Sequence, residues 1–92
     1  MIECQLGPFT VEMNDMIPRQ RAMVEQLIDA GVIITYTLAA DRSKLWIVMQ
    51  ADNESELMTY IDSLPMMKYG DYTYNEIMFH DYLQFIPTIS LN

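Results

Sequence analysis

Residues 32–51, VIITYTLAADRSKLWIVMQA, constrain the fold more than any other stretch. Two runs rich in β-branched and aromatic residues, 32–39 and 44–51, flank the short polar stretch ADRS. Such runs are strands, and so short a connection lets them pair only as an antiparallel hairpin. Period-two alternation then gives the hairpin two faces. Ile34, Tyr36, Leu38, Leu45, Ile47 and Met49 share one; Ile33, Thr35, Thr37, Trp46, Val48 and Gln50 share the other. A lone hairpin is barely stable in water, so the apolar face needs a covering layer.

The flanking segments supply it. Residues 2–9, IECQLGPF, alternate as a strand that Gly7-Pro8 interrupts, with Ile2, Cys4 and Leu6 on one side and Glu3 and Gln5 on the other. Residues 14–31 predict a helix capped by Asn14 or Asp15, with Pro18 in its first turn and Gly31 at its C′ position. Ile17, Val24, Leu27 and Ile28 form its apolar stripe, with Met23 beside it. Residues 53–64 predict a second helix, capped by Asp52 or Asn53, acidic in its first turn and stopped by Pro65; Leu57, Ile61 and Leu64 face the core. Residues 71–80 predict a last strand. The order β-α-β-β-α-β is the ferredoxin-like split βαβ arrangement, an α+β fold with both helices on one face of a four-stranded antiparallel sheet.

The other sheet face is then bare. It collects Glu3, Gln5, Ile33, Thr35, Thr37, Trp46, Val48 and Gln50. Ile77 and Phe79 belong on the helix side, which turns Met78 and His80, the chain's only histidine, to the bare face. Tyr72 and Tyr74 share the Met78 side if the strand is regular, and the core side if a bulge near Asn75–Glu76 shifts the alternation by one. Glu76 is roughly 13 Å from His80 along an extended strand, too far to pair with it. Glu3 is a candidate partner, because the first and last strands are neighbours in this fold. A mixed apolar face with a large aromatic meets a partner in most soluble proteins, so a dimer through the bare faces is expected.

Composition excludes several classes. Net charge is −8, and the five basic residues form no stripe, which argues against nucleic acid and against an anionic membrane. Cys4 is alone, so no disulfide framework exists; with no signal-peptide pattern, a cytoplasmic location is expected. No Cys/His cluster has metal-ligand spacing and no glycine loop cradles phosphate, so neither metal nor cofactor is expected.

SLPMMKYGDYTYNEIMFHD, residues 63–81, preceded by the DRSKLWIV hairpin, resembles the muconolactone isomerase family of the dimeric α/β-barrel superfamily. The resemblance rests on Leu64-Pro65, Tyr69, Asp71 and His80 at similar spacing, and spans about residues 1–82. It implies a protomer whose sheet pairs with a second copy into an α/β barrel around a cleft, with further association of dimers. It also implies a cofactor-independent isomerase that moves a double bond in a small unsaturated lactone by proton transfer, in aromatic-compound catabolism. On that reading His80 and Glu3 are catalytic, and Gln5, Thr35, Thr37, Trp46, Gln50 and Met78 contact the substrate. In the second strand, where enzymes of that family carry His, Trp and Arg, this chain has Thr35 and Thr37. Lys44 remains as the bare-face cation, with Arg42 at the hairpin tip. The residues alone fit equally a non-catalytic small-ligand-binding or oligomeric module, in which His80 is a strand-end histidine bound to a carbonyl. Residues 83–92 carry no charge and many apolar side chains, and are expected to form an ordered arm packed on another protomer or on the chain's own helices.

Overall fold

The computed structural model describes residues 1–77 of the 92. Met78, Phe79, His80 and the expected arm, 83–92, lie outside the described residues. Strand β1 spans Ile2–Leu6, helix α1 Val11–Asp29, strand β2 Ile33–Leu38, strand β3 Lys44–Met49, helix α2 Glu54–Asp62 and strand β4 Gly70–Tyr74. A 3-10 helix, Pro65–Tyr69, joins α2 to β4. All strand pairings are antiparallel, in the order β2-β3-β1-β4, which is the expected ferredoxin-like sheet.

Helix α1 begins three residues earlier than expected. Thr10, not Asn14 or Asp15, is the N-cap; its hydroxyl accepts the Met13 N–H at 3.1 Å. Glu12 adds a carboxylate where the helix dipole favours one, and Met13 is buried in the first turn. Pro18 therefore lies inside the helix, not in its first turn, and cannot donate to the Asn14 carbonyl. The far end is as expected. Gly31 has φ 75°, its N–H donates to the Ile28 carbonyl at 3.0 Å, and the Val32 N–H donates to that of Leu27 at 2.9 Å. That pair of bonds is the Schellman closure, which requires a left-handed residue at C′. Ile28, assigned to the apolar stripe, is instead 48% exposed. The buried stripe is Met13, Gln20, Val24 and Leu27.

Helix α2 is capped by Asn53, whose side chain accepts the Glu56 N–H at 2.8 Å. It stops before Pro65, and Ile61 and Leu64 are buried. The sheet's covered side holds Ile2, Cys4, Leu6, Leu45 and Ile47, packed against Val24, Leu27, Ile61, Leu64 and Met67.

Two stretches depart from simple alternation. A bulge lies between Ile33 and Thr35, so two residues of β2 oppose Val48. It exchanges the expected sides of two isoleucines: Ile33 is buried in the core, and Ile34 is 39% exposed. After the bulge the expected assignments return, with Tyr36 opposite Ile47 and Leu38 opposite Leu45, although Leu38 stays exposed on the edge strand. At the other end, β4 stops at Tyr74, and Asn75–Ile77 form no strand, where a strand to residue 80 was expected. Tyr72 pairs with Cys4 and Tyr74 with Ile2, which puts both tyrosines against the core. Gly70 pairs with Leu6; a Cβ there would lie 2.6 Å from the Gln5 carbonyl oxygen and 2.7 Å from Cys4 Sγ. Only glycine lets β4 start this close to β1.

Gln20 is the buried polar group of this core, at 5% exposure. Its amide donates to the Tyr36 hydroxyl at 3.0 Å, and its carbonyl oxygen accepts the Met66 N–H at 3.0 Å. One side chain thus links α1, β2 and the 3-10 helix. Substituting Gln20→Leu keeps the volume but strands a buried N–H and a half-buried hydroxyl. It is expected to lower stability by about 1–3 kcal/mol in urea unfolding, without changing the m-value.

Candidate functional site

The open sheet face is built by β1 and its neighbours. Glu3 is opposite Trp46 on β3 and Thr73 on β4, and Thr37 on β2 is opposite Trp46. These four therefore form one row across the sheet: Thr37, Trp46, Glu3, Thr73. The next row is Lys44, Gln5 and Asp71. On the other side of the first row, Thr35 is opposite Val48. Side chains opposite one another on one face have Cβ atoms about 4.5–5.5 Å apart, and diagonal neighbours are about 7–8 Å apart. The sheet therefore gathers Glu3, Gln5, Thr35, Thr37 and Trp46 within one patch, as the alternation predicts.

Glu3 has charged neighbours on both diagonals. Lys44 Nζ is 3.6 Å from its Oε2, with the two side chains 42% and 45% exposed. Asp71 lies diagonally on the β4 side. Lys44 completes the patch as its cation. Trp46 is half-buried beside Glu3, and Val48 is buried. Arg42, at the hairpin tip with φ 63°, has its guanidinium 5.3 Å from the centre of the Phe9 ring. The tip is held by Asp41, whose Oδ1 accepts the Ser43 N–H at 2.9 Å and the Ser43 hydroxyl at 2.6 Å. Those bonds keep the Asp41 carboxyl below its ordinary pKa.

Gln50 is not brought to this patch. It follows β3, and its side-chain amide donates to the Gly31 carbonyl at 3.2 Å, tying the strand end to the α1 C-terminus. His80 and Met78 lie outside the described residues, so the candidate His80–Glu3 pairing does too. The adjacency of β1 and β4 on which it depends is present. Two residues of the quoted stretch have structural surroundings: the Tyr69 hydroxyl donates to Glu12 Oε1 at 3.1 Å, and that of Tyr72 contacts Met58 Sδ at 3.9 Å. Cys4 is buried on the core side, and burial, aided by the charge of Asp71, pushes its thiol above its ordinary value. A thiol in that setting is a core residue and not a nucleophile. The described residues hold no group of acids, Cys and His fit for a metal ion. None of their helices is long and apolar enough to cross a membrane.

Lys44 was foreseen as a cation, but its engagement with Glu3 was not. The signal was available: once β1 lies beside β3, Glu3 and Lys44 become diagonal neighbours. An exposed pair of this kind contributes little to folding. A double-mutant cycle of Glu3→Gln and Lys44→Met is expected to give a coupling energy below about 1 kcal/mol by chemical unfolding. Variants at Glu3 can therefore be assayed on a folded protein.

Residues 4–82, well over half of the chain, match the family model described as muconolactone delta-isomerase. A search of curated proteins found no match, and neither did a search of solved structures. The match takes in β1 from Cys4 onward, all of β2, β3 and β4, and every residue of the patch except Glu3, which immediately precedes it; on this ground the chain belongs to the muconolactone delta-isomerase family.

Proposed function

We propose that the protein is a cofactor-independent isomerase that shifts a double bond in a small unsaturated lactone or related carbonyl compound. The observation that carries this reading is the open-face patch: a carboxylate, Glu3, beside an ammonium 3.6 Å away and an indole. Family membership supports the same chemistry. In such a shift one proton leaves a saturated carbon next to the carbonyl or next to the double bond conjugated with it, and negative charge builds on the carbonyl oxygen. The proton then returns at the other end of the conjugated system. Atoms and electrons balance without a redox partner.

The chain's own residues divide the work. His80 is the proposed proton carrier, because imidazole is the side chain whose ordinary pKa lies nearest neutrality. Glu3 is the proposed orienting group. Lys44 faces the oxygen on which charge develops. Thr35, Thr37 and Gln5 offer hydrogen bonds to the ring, and Trp46 offers a flat apolar wall. Water must be kept away from the enolate for these interactions to act at strength. An open sheet face cannot do that alone, so the reading includes a dimer in which two open faces enclose the cleft.

His80→Ala is expected to lower lactone turnover at least about 100-fold, the usual scale of general acid–base catalysis. Stability should change by less than about 1–2 kcal/mol. Proton NMR of the vinyl signals measures the first and thermal unfolding the second. Unchanged turnover removes His80 from the mechanism. Wild-type protein that binds the lactone without converting it supports the ligand-binding alternative.

Assembly has its own test. Trp46→Glu puts a carboxylate in the centre of the proposed interface, beside Glu3 and its copy. Analytical ultracentrifugation at micromolar concentration should show a dimer for the wild type and a monomer or unfolded chain for the variant. A stable folded wild-type monomer would sink the enclosed-cleft reading.

A further inference from the structure

We propose that Gln20 is a positioning residue of the open face: through the Tyr36 hydroxyl it fixes where the bulge of β2 falls, and so puts Thr35 on that face. The consequence for a ligand rests on the isomerase reading above; the placement itself does not.

The two ends of β2 are held independently of its middle. At one end the Val32 N–H donates to the Leu27 carbonyl at 2.9 Å, and the Val32 carbonyl accepts the Gln50 N–H at 2.8 Å, which sets Ile33 opposite Met49. At the other, the Ala39 N–H donates to the Lys44 carbonyl at 2.8 Å and the Arg42 N–H to the Ala39 carbonyl at 2.9 Å, which closes the hairpin with Leu38 opposite Leu45. Between these ends β2 has one residue more than β3, so a bulge is obligatory. Its place is not. β2 is an edge strand, bonded on one side only, and Ile34, Thr35, Tyr36 and Thr37 are all β-prone.

The place decides what the open face displays. With the bulge before Thr35, Thr35 is opposite Val48, and Tyr36 is opposite Ile47 and packs on the core. One step later, Ile34 would oppose Val48, Thr35 would turn to the core, and the Tyr36 ring would lose its place opposite Ile47. Apolar burial separates the two only weakly. The later bulge would cover Ile34, now 39% exposed, at the expense of Tyr36, itself half-buried. The polar contact decides. Gln20, 5% exposed, donates to the Tyr36 hydroxyl at 3.0 Å while its carbonyl oxygen takes the Met66 N–H at 3.0 Å. Turning Tyr36 out would leave a buried amide N–H without a partner, which is the costly arrangement. Gln20 belongs to α1, behind the sheet, so it touches nothing on the open face and acts through Tyr36.

NMR of methyl-labelled protein reads the placement with or without turnover. In the wild type a cross-strand NOE joins the Thr35 methyl to Val48. In Gln20→Leu the Tyr36 hydroxyl has no partner in the core, and that NOE is expected to give way to one between Ile34 and Val48. Adding Tyr36→Phe removes the hydroxyl that needs a partner, so Gln20→Leu/Tyr36→Phe is expected to restore Thr35. Gln20→Asn, an amide too short to hold Tyr36 and Met66 together, is the milder variant should Gln20→Leu not fold, and is expected to show both NOEs. Kinetics on an unsaturated lactone give the second readout. Gln20→Leu should raise KM about fivefold, the scale of one lost hydrogen bond, with kcat changed less than about twofold. In a Thr35→Val background it should raise KM no further. A Thr35–Val48 NOE kept intact in folded Gln20→Leu or Gln20→Asn overturns the inference, as does a KM effect that persists in Thr35→Val. Wild-type protein without turnover, whose variants still exchange the NOEs as stated, upholds the placement and rejects the isomerase reading.

Discussion

Strand β1 is held on both sides, and the rest of the molecule takes its positions from that. Its residues pair with β3 across one edge and with β4 across the other, so Glu3 is fixed between Trp46 and Thr73. A central strand cannot slip by one residue, because the slip would bring Glu3 and Gln5 into the core and put Ile2, Cys4 and Leu6 in water. Burying a charged carboxylate without a partner costs far more than the sheet can return. The same alternation that drives Cys4 into the core therefore places Glu3 on the open face. Fold and candidate site are two faces of one five-residue strand.

The helix layer enforces this arrangement through a polar contact. Gln20 satisfies Tyr36 and the Met66 backbone at once. Tyr36 lies between Thr35 and Thr37, so a bond made on the core side sets which β2 side chains point to the open face. The bulge before it is needed for the same reason. Ile33 must enter the core and Tyr36 must reach Gln20, yet they are three residues apart, and strict alternation would put them on opposite faces. One extra residue reconciles the two demands.

These details explain what the sequence reveals and what it hides. The hairpin, both helix stops and the strand order are legible, because polar turn residues, Gly31 and Pro65 mark boundaries that local sterics require. The bulge is not, since alternation carries no record of an inserted residue in a run as uniformly β-prone as VIITYTL. The start of α1 is hidden by Pro18, which favours first turns, so the four residues before it look like a cap. Thr10 wins because Met13 gains burial only if the helix starts early. Gln20 is hidden because glutamine on a helix ordinarily faces water. Its position between Met13 and Val24 on the buried stripe was the available signal. On the site, membership of Glu3, Gln5, Thr35, Thr37 and Trp46 follows from period two alone. The exclusion of Gln50 does not, because its bond to the Gly31 carbonyl depends on where the α1 C-terminus lands.

The scarcity of positive charge connects these observations to chemistry. An enolate forming on an open sheet face needs a cation or several good donors nearby, and a proton carrier that is not itself held in a fixed charge state. In this chain the cation next to Trp46 is already balanced by a carboxylate. Such a pair is close to neutral at rest. On the proposed isomerase reading it becomes useful only when negative charge appears, with the ammonium leaning from Glu3 toward the new oxyanion. Interactions that strengthen in the transition state but not in the ground state raise the rate without trapping the substrate. The Glu3–Lys44 pair contributes little to folding; on the proposed isomerase reading its value lies in setting when that positive charge is available.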